Sequence, residues 1–363
     1  MSNNIRNDDD IVEITADIEG IRYEPYLCKD LRIYDIDDIG DALQQKPTFL
    51  LNVGKKTIIA VSWWVSPKRT RSYPYARVYD SLAFPGKKAT IIPVFKDEGA
   101  DGGRDFLQWD TISLMSLLGV YVIVSYYTSA KKNPRYNNKI TNQRFDIDHI
   151  KMEIHELLNY HSDALHWNLE RLDKIDEIGR KALKAYNQIA KDLNVKMHSA
   201  EEAYKRITEL FNNKQKFREF SRELAKKAQH RERVTIQPKE YLRGRKASLT
   251  IKNYLGGYYY FTCDEVVIEH DKVYLIESKH TKQGILPSLD DIKDGLLKMI
   301  LYTNLKNVTI NNKSYNHIPM LRLTTSITNE SLVQNKKYKE IINKLRDEAN
   351  RNGFKIQLNE TIL

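Results

Sequence analysis

Short apolar runs separated by polar turns dominate the first third of the chain. Thr48–Val53 and Lys56–Trp64 read as a strand pair, Ala89–Phe95 as a third strand and Val120–Tyr126 as a fourth. Between the last two, residues 105–118 carry Phe106, Trp109, Ile112, Leu114 and Leu117, a pattern that suits a helix. Strands that alternate with a helix predict α/β structure. They form either a sheet of their own or part of one larger sheet. From residue 145 to about 230 the period lengthens. Leu158, Leu165, Leu169, Leu172, Ile175, Leu183, Tyr186, Ile189 and Leu193 recur at three- and four-residue steps, which predicts helices. Ser199, with Glu202 three residues on, reads as a capping box that opens a further helix.

The last third returns to strands. Residues 264–269 and 272–279 are two apolar runs around the polar pair His270-Asp271, which predicts a hairpin. Residues 287–302 follow as a helix. Ser288 is a suitable N-cap, Asp290 and Asp291 suit its positive end, and Ile292, Leu296, Met299 and Ile300 share one face. Gly295 in mid-helix costs about 1 kcal/mol against Ala, so its presence suggests close approach to a neighbour. Residues 317–325 read as a strand, Ser331 to Arg351 as an amphipathic helix and Gly353 to Leu358 as a final strand. The predicted organisation is an α/β region over 1–144, a helical bundle over 145–233 and a mixed α/β core over 234–363.

The hairpin carries the chemistry. Side chains alternate along a strand, so Leu275, Glu277 and Lys279 share one face. If His270 and Asp271 are the two turn residues, Glu269 pairs with Lys272, and counting outward sets Asp264 opposite Glu277. Facing Cβ atoms in such a ladder lie roughly 4.5–5.5 Å apart, where like charges repel. Two carboxylates so placed, with an ammonium beside them, favour a cation between them. A different turn would slide Asp264 past Glu277 and bring Glu265 into play. The bland alternative is that these charges are the solvated face of an edge strand. Tyr274, Leu275 and Ile276 argue against it, because apolar residues on both faces mark a central strand, and charge beside buried surface is costly without a partner.

At these residues the chain resembles the PD-(D/E)XK nuclease superfamily. Asp264 matches the first acid, Glu277 the second and Lys279 the lysine, while Cys263 stands where the motif has proline. The resemblance covers residues 235 to 327, and hairpin, helix and strand follow in the order of the superfamily core. It implies a restriction-endonuclease-like core with a mixed central sheet flanked by helices. It also implies Mg²⁺, with Mn²⁺ as a substitute, held by Asp264 and Glu277 and optionally the Ser278 carbonyl. Lys279 would orient or deprotonate the attacking water. Family members often add an acid from an earlier helix, for which Glu240 is the candidate. The hairpin helix is expected on the sheet face away from the metal, or behind the edge.

Charge agrees with a polyanionic substrate. The chain of 363 residues has 58 Lys and Arg against 48 Asp and Glu, a net charge of +10, which favours phosphate attraction. Arg243, Arg245, Lys246 and Lys282 flank the hairpin, and Arg69 and Arg71 lie in an aromatic and basic stretch after Trp64. All six are candidate DNA contacts. Residues 131 to 144 read as a basic polar linker. The acidic, Gly-rich segment 96–105 reads as a flexible turn with Asp105 capping the next helix; a rival reading has Asp97, Glu98 or Asp101 completing a metal site. His149, His155, His161 and His166 do not share a helical face and are discounted as ligands. Two cysteines, Cys28 and Cys263, are too few for a disulfide framework. No apolar run reaches the ~18 residues of a membrane span, and the first residues lack a signal-peptide apolar region, so a cytoplasmic protein away from membranes is expected.

The resemblance is closest to a type II restriction endonuclease. That implies cleavage of double-stranded DNA, a homodimer to cut both strands, and a cognate DNA methyltransferase in the same system. The residues leave open a defence or repair nuclease acting on DNA or RNA, and a non-catalytic DNA-binding protein of the same fold.

Overall fold

The structure is a computed structural model that describes residues 12–54, 56–67, 72–211, 245–254, 258–282, 285–325 and 336–363. The chain is mixed α/β and divides into two compact units, residues 30–221 and residues 1–29 with 222–363.

The discontinuous unit is built on a nine-stranded mixed sheet. Four strands form its middle. Arg245–Asn253 runs antiparallel to Tyr258–Glu269, here termed the carboxylate strand; this pairs antiparallel with Lys272–Thr281, the lysine strand; and that in turn pairs parallel with Asn316–Thr325. The lysine strand is therefore central, as its two-sided apolar run predicts. The N-terminal strand Val12–Ile18 adds parallel to Arg245–Asn253, with Ile14 beside Leu249 and Ile18 beside Asn253. This divides the region expected over 1–144: ladder hydrogen bonds tie residues 12–18 to residues 247–253. The following segment is held the same way. The buried Glu348, on the helix Lys336–Asn352, accepts the Tyr23 hydroxyl at 2.7 Å and the Tyr26 and Leu27 N–H groups at 3.1 and 3.2 Å.

The helix Leu289–Tyr302, termed the site helix, packs on the lysine strand and on Asn316–Thr325. Ser288 caps it, accepting the Asp291 N–H at 3.1 Å. A Cβ added at Gly295 would lie 2.7 Å from Leu321 Cδ1 and 3.4 Å from Lys279 Cε. The glycine thus permits the close approach its sequence position suggested.

Residues 30–221 form a separate sheet of five strands. Ile58–Trp63, Lys88–Pro93 and Val120–Ser125 run parallel, and Thr48–Asn52 pairs antiparallel with the first of them. Val120–Ser125 lies at one end of this sheet, and the described helices of residues 147–193 pack against it. Their side chains satisfy that strand's backbone. Asn168 accepts from Val122 N–H at 2.7 Å and donates to Val120 C=O at 3.0 Å; Trp167 donates to Val122 C=O at 2.8 Å; and His149 Nε2 meets Val124 C=O at 2.9 Å. An edge strand needs such cover, and that need binds the helices to the sheet. Residues 30–144 and the described helices to Phe211 consequently fall in one unit, residues 30–221.

Two local readings also change. The expected linker at 131–144 is an antiparallel ribbon, Tyr127–Lys132 with Ile140–Phe145. The acidic segment is a short hairpin, Phe95–Asp97 with Arg104–Phe106. Asp105 lies in its second strand and accepts from the Ser66 hydroxyl at 2.8 Å, while Gln108 precedes the helix Trp109–Leu117. The capping box forms as read, with Glu202 N–H donating to Ser199 Oγ at 3.2 Å. No helix among the described residues is long and apolar enough to cross a membrane.

Candidate active site

The hairpin turns at His270-Asp271, with His270 at φ +56°. Glu269 faces Lys272, Val267 faces Tyr274 and Glu265 faces Ile276. One step further along this register Asp264 lies across from Glu277. On its other side the carboxylate strand is irregular. Ala247 faces Cys263 but Arg245 faces Val266, so Asp264 and Glu265 together stand against Lys246. This is a β-bulge, a feature that re-aims side chains, and it falls on the first acid.

Three expected residues come together. Glu277 is buried, 1 % exposed. Its Oε1 accepts Lys279 Nζ at 2.9 Å. Asp264 Oδ2 accepts the Ser278 N–H at 2.9 Å. The site helix supplies two side chains that sequence reasoning missed. Lys298 Nζ donates to Glu277 Oε2 at 2.7 Å, and Asp294 Oδ2 accepts Lys279 Nζ at 2.6 Å. The site helix therefore packs on the face that carries Glu277 and Lys279, not the face behind it. The helix does carry a signal: Asp294, Lys298 and Tyr302 recur every four residues among Leu296, Leu297, Met299, Ile300 and Leu301. That stripe marks a polar surface turned toward buried partners.

The electrostatics follow from burial and count. Asp264, Glu277 and Asp294 set three carboxylates against the ammoniums of Lys279 and Lys298, so full ionisation leaves one negative charge uncompensated. Asp264 carries the consequence. Burial, then repulsion from Glu277, pushes its carboxyl up to about 7, against the pull of Lys298 and Lys279. Burial also acts to raise Glu277, but Lys279 and Lys298 outweigh it and hold that carboxyl low. Lys279 is pulled the other way. Burial favours its neutral form, yet the carboxylates of Glu277 and Asp294 prevail and keep it an ammonium. Burial, and next the neighbouring Cys263, raises the Tyr302 hydroxyl, and no described group hydrogen-bonds to it. Cys263, next to Asp264, is buried, and its thiol lies within hydrogen-bond reach of the Glu265 and Ile276 carbonyls, at 3.2 and 3.3 Å.

The opposite face of the sheet carries Glu265. Its carboxylate is fully buried and meets the Arg322 guanidinium, whose Nε donates to Gln357 Oε1 at 2.9 Å. The register thus excludes Glu265 from the Asp264 cluster.

Of the expected DNA contacts, Arg245 and Lys246 open the strand beside the bulge, and Lys282 follows the end of the lysine strand. Arg69, Arg71, Arg243 and Glu240 lie outside the described residues. The acids of segment 96–105 belong to the other unit and have local partners. Asp97 accepts from Gly99 N–H at 2.8 Å and meets His198 Nδ1 at 2.7 Å; Glu98 pairs with Lys96 at 2.6 Å and Lys139 at 3.3 Å. No cluster of three or more His, Cys, Asp or Glu suited to a metal occurs among the described residues.

No family model, curated protein or solved structure matches this chain.

Proposed function

We propose that this chain is a metal-dependent endonuclease of the PD-(D/E)XK type that hydrolyses phosphodiester bonds of double-stranded DNA, with the role of a site-specific type II restriction endonuclease. The observation that carries this reading is the convergence of Asp264, Glu277 and Lys279 on adjacent strands, with Lys298 and Asp294 closing the cluster from the site helix.

The donor set fits Mg²⁺, with Mn²⁺ as a substitute. Mg²⁺ takes one or two protein carboxylates and keeps several waters, and Asp264 and Glu277 are two hard oxygen donors. The surplus negative charge of the cluster favours an added cation. The unpartnered Tyr302 hydroxyl offers a polar neighbour for a water. When bound, the ion polarises the scissile phosphate and lowers the pKa of a coordinated water.

The chain's own residues divide the remaining work. Lys298 holds the second oxygen of Glu277 and fixes how that carboxylate is turned. Lys279, as an ammonium, has no lone pair with which to accept a proton. It therefore orients the attacking water and offsets charge that develops on the phosphoryl oxygens, a contribution worth most in a water-poor site. Asp294 keeps Lys279 in place. The restriction role brings a homodimer and a cognate DNA methyltransferase with it.

The test is a digest of linear plasmid DNA by the purified chain with Mg²⁺, with Mn²⁺ and with EDTA. Discrete bands that vanish in EDTA are expected. A smear points to a non-specific nuclease, and intact DNA with cleaved RNA to a ribonuclease. No cleavage with either metal overturns the enzyme reading and leaves a DNA-binding protein of the same fold.

A further inference from the structure

The stretch from Tyr127 to Phe145 contains five cations and no acid. In the structure it is a two-stranded antiparallel ribbon, with Lys131 facing Thr141 and Arg144 facing Ser129. Lys131, Arg135 and Arg144 are exposed, and no described group pairs with their charged ends. Tyr136, at the tip, is 54 % exposed. A ribbon that kept its cations only for solubility would not need a fixed shape. This one is braced along its length.

At the base, Tyr127 and Phe145 stack with ring centroids 4.4 Å apart. At the tip, Asn133 N–H donates to Lys139 C=O at 2.8 Å, and Asn133 Oδ1 accepts the Arg135 N–H at 2.8 Å. The acidic turn supports the ribbon from its flank. Asp101 accepts the Asn138 N–H at 2.8 Å and Ile140 N–H donates to Glu98 C=O at 2.9 Å. Gly99, at φ +91°, comes so near that an added Cβ would lie 2.3 Å from Asn138 O. The acids of that turn are thus spent on bracing, and the ribbon presents cations in a preset geometry, which lowers the entropic cost of binding.

We propose that this ribbon is a duplex-DNA contact element that enters the major groove, with Lys131, Arg135 and Arg144 on the phosphates. It shares with the proposed nuclease activity only the duplex-DNA partner. A B-DNA major groove, about 12 Å wide, admits a two-stranded ribbon, whereas the A-form RNA major groove is too narrow for side chains to read. Charge complementarity therefore selects a polyanion, and shape selects duplex DNA over duplex RNA.

The test is fluorescence anisotropy of a labelled DNA duplex with the full chain in EDTA, as a function of salt. Each phosphate contact adds about 0.9 to the slope of log affinity against log salt. The triple variant Lys131→Gln, Arg135→Gln, Arg144→Gln is expected to lower that slope by about 2–3 and to weaken binding at least ~10-fold near 0.1 M salt. The charge-keeping variant Lys131→Arg, Arg135→Lys, Arg144→Lys should retain the wild-type slope. If the triple variant does not fold, Arg135→Gln at the exposed tip should by itself lower the slope by about 1. An unchanged slope and affinity in a folded variant, or a wild type that does not bind duplex DNA, overturns the proposal. Equal or tighter binding of duplex RNA overturns the choice of DNA. Because binding is read in EDTA, without metal, a chain that binds through the ribbon yet cuts nothing when Mg²⁺ or Mn²⁺ is supplied counts against the nuclease alone.

Discussion

Two buried charge clusters lie on opposite faces of the same sheet, and they differ in how their charge is matched. On one face Glu265 meets Arg322, a guanidinium whose planar fork suits a carboxylate. On the other, Glu277 and Asp294 hold the ammoniums of Lys279 and Lys298, and Asp264, which accepts the Ser278 N–H, adds a third carboxylate. The first sets a guanidinium against a carboxylate across the lysine strand that lies between them. The second is deliberate surplus: each lysine is shared or single, and one carboxyl is displaced toward neutrality. The comparison teaches where chemistry lies in this unit. A matched buried pair adds specificity to the strand order and resists removal, whereas an unmatched cluster can accept a proton or a cation.

The largest effect expected is on cleavage. Asp264→Asn removes a metal oxygen and repulsion toward phosphate while keeping the shape. Cleavage should fall by ~10³-fold or more, the value of several kcal/mol of charge stabilisation, with DNA affinity in EDTA equal or higher. Full activity in this variant would end the nuclease assignment. On the other face Arg322→Ala removes the guanidinium that meets the buried Glu265 carboxylate. Loss of one partner of a buried pair costs about 3–5 kcal/mol, to be read by urea denaturation. If Arg322→Ala instead left stability intact and abolished cleavage, the division between a structural face and a chemical face would be wrong.

A smaller loss is expected for Asp294→Asn, which keeps the volume beside Lys279 but removes its second carboxylate. Outer partners of this kind are worth about 10–100-fold in activity, measured as initial cleavage rate. A loss equal to that of Asp264→Asn would mean that Asp294 touches metal or substrate itself.

The subtlest effect is on stability as pH varies. Asp264 is raised in the folded chain to about 7 from an unfolded value near 3.9. The folded state therefore holds a proton that the unfolded state has released. Asp264 costs the metal-free protein stability progressively as pH rises from about 4 to about 7. Thermal melts at pH 5 and pH 8 should differ less for Asp264→Asn than for wild type, and added Mg²⁺ should recover wild-type stability at pH 8 more than at pH 5. A wild-type difference unchanged by the substitution would remove Asp264 from the role of surplus carboxylate.

Much of this was legible in the chain. The two-residue turn set the register, and the register set Asp264 across from Glu277 and turned Glu265 away. The apolar run Tyr274–Ile276 marked the lysine strand as central, and Gly295 signalled a close approach. The bulge at Asp264 was not legible, because it depends on how Arg245–Asn253 lies against the carboxylate strand, and no side-chain period fixes that pairing. Lys298 and Asp294 were present as a four-residue stripe, yet a stripe does not say which sheet face its helix will meet. The basic segment at 131–144 read as a linker because its few apolar residues, Ile140 and Phe145, give no two-residue alternation. Its strand pairing is imposed by the base stack and by the acidic turn.

The sequence by itself determined the local elements, the hairpin register and the grouping of Asp264, Glu277 and Lys279, since these follow from side-chain period, turn chemistry and caps within a few residues. Tertiary structure alone decided that Val12–Ile18 belongs beside Arg245–Asn253, that the helices after residue 145 cover the edge strand Val120–Ser125, and that the site helix lends Lys298 and Asp294 to the carboxylates. These choices are made by backbone groups in need of partners and by buried charges in need of balance. Such demands are met by whichever distant segment brings the right donor to the right face.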